Sequence, residues 1–573
     1  MPPSKLASNR DQQELSQIYV ANRRQRFKSE VNRMTSGAMR EMLVGRQHSD
    51  DLSFLLSYLY AFFWMHHNVE QDYHSLLLSA FKNSPRAFLM ELLERSATGE
   101  QFVRGYIGHW MVSPAESPVQ RQQLLRLLAL HHGDSEALAA EIMAIWKSLH
   151  LFTRTDAVAY SEISRRERDR YGEMLDDADL QRLALVDALP DTNRKTAQFA
   201  KLGIIPAMGC PQTCRHCMFI WRPPKSQNQD PESLYRLVDA HTHSVLFTGG
   251  DLTLHMEHFY RAIGAMRHIR TFAILLNGDF ATTSEETHQV LRAMAKAVRE
   301  RPGSWPRAHV LLQISFDEFH QEVIADKHGA LRERIPVEKI ANIVEAAPRY
   351  KEIQLALLHK QNSLNFSMEL FQKGVFARLA KRLGERGHQL QVLSSAPSAR
   401  EKSNPAKPGQ KGMLLKDATF ILKRYPDYPI VLTSSTIDAF GRAELLEAGE
   451  SVREQEFLDE VLRRDASPGE GFDTDLMFWF NGWATLFSAV HISLGNLYED
   501  GAERILERQR KDPLSRALHN FERSLLNYYS EIRDDLDERI AMASSPHHLF
   551  HMLTESADVR LHMTRRLIEK TMA

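Results

Sequence analysis

The densest chemistry in this 573-residue chain lies in eight residues, Cys210-Pro-Gln-Thr-Cys214-Arg-His-Cys217. The chain has three cysteines, and all three are here. Three thiolates on one short loop suit a metal better than disulfides, which want even numbers and wider spacing. They leave a [4Fe–4S] cube one protein ligand short, because a fully protein-held cube takes four thiolates. One iron is then open to a small molecule, just as catalytic metal sites keep an open position. The competing reading is a zinc ion with His216 as fourth ligand. Structural zinc sites usually draw ligand pairs from two separated knuckles, and His216, one residue before Cys217, is poorly placed to chelate the same ion.

The elements that must position this loop begin near residue 195, where short apolar runs alternate with helical stretches. Leu202 to Met208, Ser244 to Phe247, Phe272 to Leu276, His309 to Ser315, Ile353 to Leu358 and Gln389 to Leu393 read as strands. Helices are expected over Pro231 to Ala240, Leu254 to His268, Ser284 to Arg299, Pro336 to Ala346 and Phe366 to Glu385. Six β-then-α units imply a parallel sheet with right-handed crossovers. In β/α barrels the active site gathers at the C-terminal strand ends, and the cysteine loop directly follows the first strand. The second strand ends in Phe247-Thr248-Gly249-Gly250-Asp251, where glycines let the backbone approach a ligand and the acid favours an ammonium. Asn277-Gly278 closes the third strand and Ser315-Phe316-Asp317-Glu318-Phe319-His320 the fourth. Asp317 reads equally as a helix N-cap. Gln354, His359 and Ser394-Ser395-Ala396-Pro397 are weaker candidates at later strand ends.

The spacing Cys-x3-Cys-x2-Cys, with Gly249-Gly250-Asp251 at the next strand end, resembles the radical S-adenosylmethionine (SAM) superfamily. The resemblance implies a partial (β/α)6 TIM-type barrel over 195–445, an α/β fold. It implies a [4Fe–4S] cluster on Cys210, Cys214 and Cys217, with SAM on the open iron through its amino and carboxylate groups. Thr248, Gly249, Gly250 and Asp251 match the family's Gly-Gly-Glu motif, which receives the SAM amino group; aspartate here shortens the reach by one methylene. His216 stands where the family usually has an aromatic residue near adenine. Asn277, Ser315 and Asp317 stand where relatives place polar SAM contacts, and Ser394 to Pro397 on the adenine side. The implied chemistry is reductive cleavage of SAM to a 5′-deoxyadenosyl radical, which abstracts hydrogen from a peptide or small-metabolite substrate. The implied electron donor is a flavodoxin or ferredoxin. Two alternatives are a radical SAM methyl- or adenosyl-transferase and a non-catalytic iron–sulfur carrier or sensor. On this reading Gly250→Val spares the cluster and weakens SAM binding.

Around this core, residues 1–190 read as an all-α domain, with breaks at Asn83-Ser84-Pro85, Ser113-Pro114 and His132-Gly133-Asp134. A protein partner or precursor peptide is the candidate occupant of that domain. Its His66-His67-x2-Glu70-x-Asp72-x-His74 group has metal-ligand residue types, but polar decoration of a helix over Phe62-Phe63-Trp64 is the stronger reading. Residues 446–573 read as a mostly helical extension. Within it, Asn481-Gly482 and Gly495-Asn496 resemble a SPASM or twitch segment without its auxiliary-cluster cysteines. Ser398 to Gly412 reads as an exposed loop, Ile430 to Thr433 as a further strand, and Arg442 as a candidate carboxylate-binding residue. His547, His548 and His551 read as surface or packing residues. Net charge is −1, so no global field favours nucleic acid or anionic membrane. The apolar run Phe54 to Met65 is too short to span a bilayer. Cysteine usage fits a reducing cytoplasm.

Overall fold

A computed structural model describes residues 175–191, 198–212, 214–218, 231–325, 331–360, 374–403, 411–437, 450–464 and 468–572, with Leu15, Ala443 and Leu446 as isolated positions. The all-α domain expected over 1–190 falls outside these residues except for its last helix, α1 (Asp177–Ala188). The His66–His74 group and Arg442 also lie outside them. Of the two compact units into which the chain divides, one comprises Arg165–Gln321, Ile335–Leu446 and Ser451–Ala573. The other contributes the short antiparallel hairpin Val323–Ala325 and Leu331–Glu333, beside which Arg334 meets Glu322 at 3.1 Å. The first unit carries everything that follows.

Its fold is mixed α/β, built on one eleven-stranded sheet. Five units alternate in order: β1 (Leu202–Ile205), α2 (Pro231–His241), β2 (Ser244–Phe247), α3 (Met256–Ala265), β3 (Thr271–Leu276), α4 (Ser284–Arg299), β4 (His309–Ser315), α5 (Val337–Ala346), β5 (Ile353–Lys360) and α6 (Gly374–Glu385). Local sequence explains the boundaries. Thr283 and Glu286 form a reciprocal capping box at the start of α4, satisfying backbone donors that the first turn leaves open. Along β4 every second residue is buried, and Val310, Leu312 and Ile314 are fully so, in the same apolar core as Ile340, Ile343 and Val344 of α5. Each such side chain contributes roughly 1.5–3 kcal/mol. The alternate residues, Ser315 among them, are left for the other face.

The sixth strand differs from expectation. Leu390–Pro397 (β6) follows α6, but it does not pair with β5. It runs antiparallel to β7 (Leu415–Leu422), which runs antiparallel to β8 (Ile430–Ser435). It is β8 that pairs parallel with β5, Leu432 opposite Leu357. The run at Gln389–Leu393 is therefore carried to the sheet edge, and β7 was not anticipated.

The C-terminal segment extends the other side of the same sheet. After α7 (Gln455–Arg463), β9 (Leu476–Trp479) pairs parallel with β1, Phe478 opposite Ile204. Two antiparallel strands follow, β10 (Trp483–Leu486) and β11 (Ser493–Asn496). The turn between β9 and β10 uses Gly482 at φ +90°, a left-handed conformation glycine adopts without strain. The sheet order is β11-β10-β9-β1-β2-β3-β4-β5-β8-β7-β6. Helices then run from Ala502 to Met572. Among the described residues no helix is long and apolar enough to cross a membrane. His548 and His551 are buried, and His547 packs between Phe472 and Phe521.

Buried ion pairs tie α1 to the C-terminal helices. Arg560 meets Asp179 in a two-pronged contact at 2.9 and 2.5 Å, and Arg182 meets Asp512 at 3.2 Å. Removing one partner strands the other charge away from water, which costs about 3–5 kcal/mol. Arg560→Met is therefore expected to lower urea-unfolding stability by that order. Asp179→Leu combined with Arg560→Met should lose less than the single variant, because no carboxylate is left without Arg560, and Arg182, 3.8 Å from Asp179, keeps Asp512.

Candidate active site

A cavity of about 270 Å³ opens at the C-terminal ends of the parallel strands. Its wall is drawn from successive strand ends, from the loop after β1 round to Ile437 after β8. Cys210, Cys214, His216, Cys217, Thr248, Gly249, Gly250, Asn277, Ser315 and Asp317 all line it. Strand order rather than sequence proximity gathers them.

The two loops that carry most of these residues are hydrogen-bonded together through their backbones. Thr248 N–H donates to Ile204 O at 3.1 Å, Gly250 N–H to Ala207 O at 3.0 Å, and Asp251 N–H to Gly209 O at 2.8 Å. This close approach leaves no room for side chains. A Cβ on Gly249 would meet the carbonyl oxygen of Ala207, and one on Gly250 those of Met208 and Gly209. Glycine is needed at 250 to let the cysteine loop lie where it does. On this geometry Gly250→Val is expected to disturb the cysteine loop as well as SAM binding.

None of the three cysteines is in a disulfide. Cys214 is buried, and Cys217 N–H closes a turn onto Cys214 O at 3.3 Å. The imidazole of His216 turns to Asp317, its Nε2 3.4 Å from Asp317 Oδ2. Its ring stacks on Phe319 at 4.7 Å and meets His320 edge-on at 4.7 Å. Among the described residues, the metal-ligand types whose donor atoms all lie within 4.8 Å of one another are His216, Asp317 and His320. Tetrahedral zinc, with Zn–S bonds of ~2.3 Å, draws its sulfurs to about 4 Å apart. Among the described residues, the group that meets the 4.8 Å condition contains no cysteine. A cube places its cysteines on separate irons, farther apart. The donor set and the glycine cradle fit a cluster with one open iron.

Asp317 is 1 % exposed and caps a turn, since no helix starts there. Its Oδ1 accepts from Phe319 N–H and His320 N–H, each at 2.9 Å, and His320 Nδ1 lies 2.9 Å from Oδ2. Burial pushes its carboxyl up, but the imidazoles of His320 and His216 outweigh this and hold it well below the usual range. Burial lowers His216, with Asp317 opposing.

Some expected residues sit elsewhere. Asp251 is buried beneath the loop, and its carboxylate caps the turn Leu252–His255 by accepting from Thr253 N–H at 3.1 Å. Gln354 is exposed, and His359 is buried against Ser434 with Nδ1 3.2 Å from its hydroxyl. Neither lines the cavity, nor do Ser394 to Pro397 on edge strand β6. Other residues went unforeseen. Lys360 lines the cavity and donates to Thr436 O at 2.9 Å. Gln212, between the first two cysteines, donates to Asp279 Oδ2 at 3.0 Å, and Asp279 takes Lys339 Nζ on Oδ1 at 2.7 Å. The cysteine loop is thus anchored to the loop after β3. The turn sequence Asn277-Gly278-Asp279 was the available signal for it.

Residues 204–362 match the family model described as the Radical SAM superfamily. Members of that superfamily use a [4Fe–4S] cluster and SAM. None of the curated proteins matches the chain. Among solved structures, Streptococcus suis SuiB bound to precursor peptide SuiA is similar at 13 % identity, over 36 % of this chain and 40 % of that one, with a TM-score of 0.23. SuiB alone is similar at 12 % identity, over 45 % of this chain and 51 % of that one, with a TM-score of 0.23. The chain thus spans about half or less of these two structures.

Proposed function

We propose, from the premise that residues 204–362 are a radical SAM superfamily domain, that this protein initiates radical chemistry on a peptide or small-metabolite substrate. One observation carries the reading. The three thiols and the Gly249-Gly250 loop line one cavity and are joined by backbone hydrogen bonds, so a cluster and a ligand on its open iron share a single chamber. Cys210, Cys214 and Cys217 would hold the cluster, and Thr248, Gly249 and Gly250 would receive SAM through backbone groups. When bound, the two together supply a 5′-deoxyadenosyl radical that takes hydrogen from carbon. Asn277 and Ser315, which line the cavity at the ends of β3 and β4, would orient SAM through polar contacts. Leu275, Leu276, Leu358 and Ile437 form an apolar wall that excludes water from the reacting end. The partial (β/α)6 barrel is our reading of the parallel strands from β1 to β5 with β8. A flavodoxin or ferredoxin is the proposed electron source.

The test is anaerobic reconstitution of the full chain with iron and sulfide, then incubation with dithionite and SAM. 5′-Deoxyadenosine is the expected product. S-Adenosylhomocysteine alongside it would move the assignment to methyl transfer. Neither product from fully loaded protein would leave an iron–sulfur carrier or sensor.

A further inference from the structure

We propose that His216, Asp317 and His320 form a second, mononuclear site for a divalent first-row transition ion, apart from the three thiols and opening on the same cavity. Two nitrogens and one carboxylate oxygen suit zinc, iron, cobalt or manganese. Two ligands of one ion, each about 2.1 Å from it, stand roughly 3.0–3.4 Å apart. Asp317 Oδ2 lies 2.9 Å from His320 Nδ1 and 3.4 Å from His216 Nε2. Both imidazoles therefore converge on one oxygen at separations that fit a shared ion.

The rest of the carboxylate is arranged accordingly. Oδ1 is held by the N–H groups of Phe319 and His320, which fixes the carboxylate and leaves Oδ2 for the ion. Such supporting hydrogen bonds orient the ligands in metal sites. The ring of His216 is loosely held. Its side chain is 8 % exposed, its Nδ1 is buried with no hydrogen-bond partner, and its Nε2 is the nitrogen that faces Asp317. The ring's contact to Asp317, at 3.4 Å, is longer than a good hydrogen bond. An ion on Nε2 replaces that weak contact with a bond. Stacking on Phe319 fixes the ring by its face and leaves its edge for coordination.

The cavity supplies the open positions. Lys360 stands on the same wall, so ion and ammonium together favour an anionic oxygen donor, a carboxylate or phenolate of the molecule bound there. This assignment does not depend on the cluster.

The experiment titrates cobalt(II) into the full chain carrying Cys210→Ser, Cys214→Ser and Cys217→Ser. One equivalent should bind with visible d–d bands and no sulfur-to-cobalt charge transfer. Asp317→Asn keeps the Oδ1 acceptor and His320→Gln keeps the bulk, so both should retain the thermal unfolding profile. Each should weaken binding at least about tenfold. A spectrum that stays that of aqueous cobalt, or equal binding in the two variants, overturns the proposal. Metal analysis of cluster-loaded wild-type protein covers the case of a misfolded serine variant. One zinc beyond the cluster iron, lost in His320→Gln while the iron stays, supports the site. No metal beyond the cluster after zinc exposure overturns it.

Discussion

Changing any one of Cys210, Cys214 or Cys217 to alanine is expected to remove the brown cluster absorbance and drop bound iron from ~4 per chain to a small fraction of that. The chain has three cysteines, so no other thiolate can step in. All three line one cavity, and Cys214 is 4 % exposed, so its loss leaves a gap water fills poorly. Two thiolates cannot hold a cube that already leaves one iron to a small molecule. Anaerobic iron and sulfide analysis, with the visible spectrum, checks this. A full iron complement in any of the three variants would contradict the ligand assignment. Far-ultraviolet circular dichroism should be unchanged, since these residues lie in a loop rather than in the sheet.

Gly250→Val is expected to lower both cluster loading and SAM affinity. The added Cβ meets the carbonyl oxygens of Met208 and Gly209, which are backbone atoms and cannot rotate away. Cys210 follows directly, so any shift that relieves the clash moves a ligand. Overpacking of this kind costs on the order of 1–3 kcal/mol. It also strains the bonds from Gly250 N–H and Asp251 N–H to the cysteine-loop backbone, at 3.0 and 2.8 Å. Iron content and equilibrium SAM binding, measured on the same reconstituted sample, check the two effects together. Gly264→Ala is the control, because a Cβ there meets nothing within 4 Å. It lies in α3, where alanine is favoured over glycine by up to about 1 kcal/mol, so stability should hold or rise. Intact iron in Gly250→Val would mean that the two loops move independently.

Local chemistry was legible from residue order. Cys-x3-Cys-x2-Cys proposes a metal site outright, because thiolates at that spacing have few other uses. The first five strands and the helix from Ser284 to Arg299 were legible too, because apolar period and capping are properties of neighbouring residues. The sixth strand was not. Leu390–Pro397 and Ile430–Ser435 are both short apolar runs after a helix or turn, and periodicity ranks them alike. What separates them is pairing: β7 intervenes and runs antiparallel to both, so the later strand lies beside β5 and the earlier one is carried to the edge. Hydrogen-bond partners dozens of residues away decide that.

The same division holds at the cavity. Residue types and spacing alone determined that this chain collects three thiolates on one loop and follows them with a glycine pair at a strand end. Only the tertiary structure decided what each polar residue faces. Asp251 and Asp317 looked alike as acids after strands, but one is tucked under its loop capping a turn, while the other lies between two imidazoles. Gln212, Asp279 and Lys339 form one anchor although 67 and 60 residues separate the members of each bonded pair. A side chain's direction depends on sheet order and on loop packing across the strand ends. Those are long-range contacts, which no window of sequence contains.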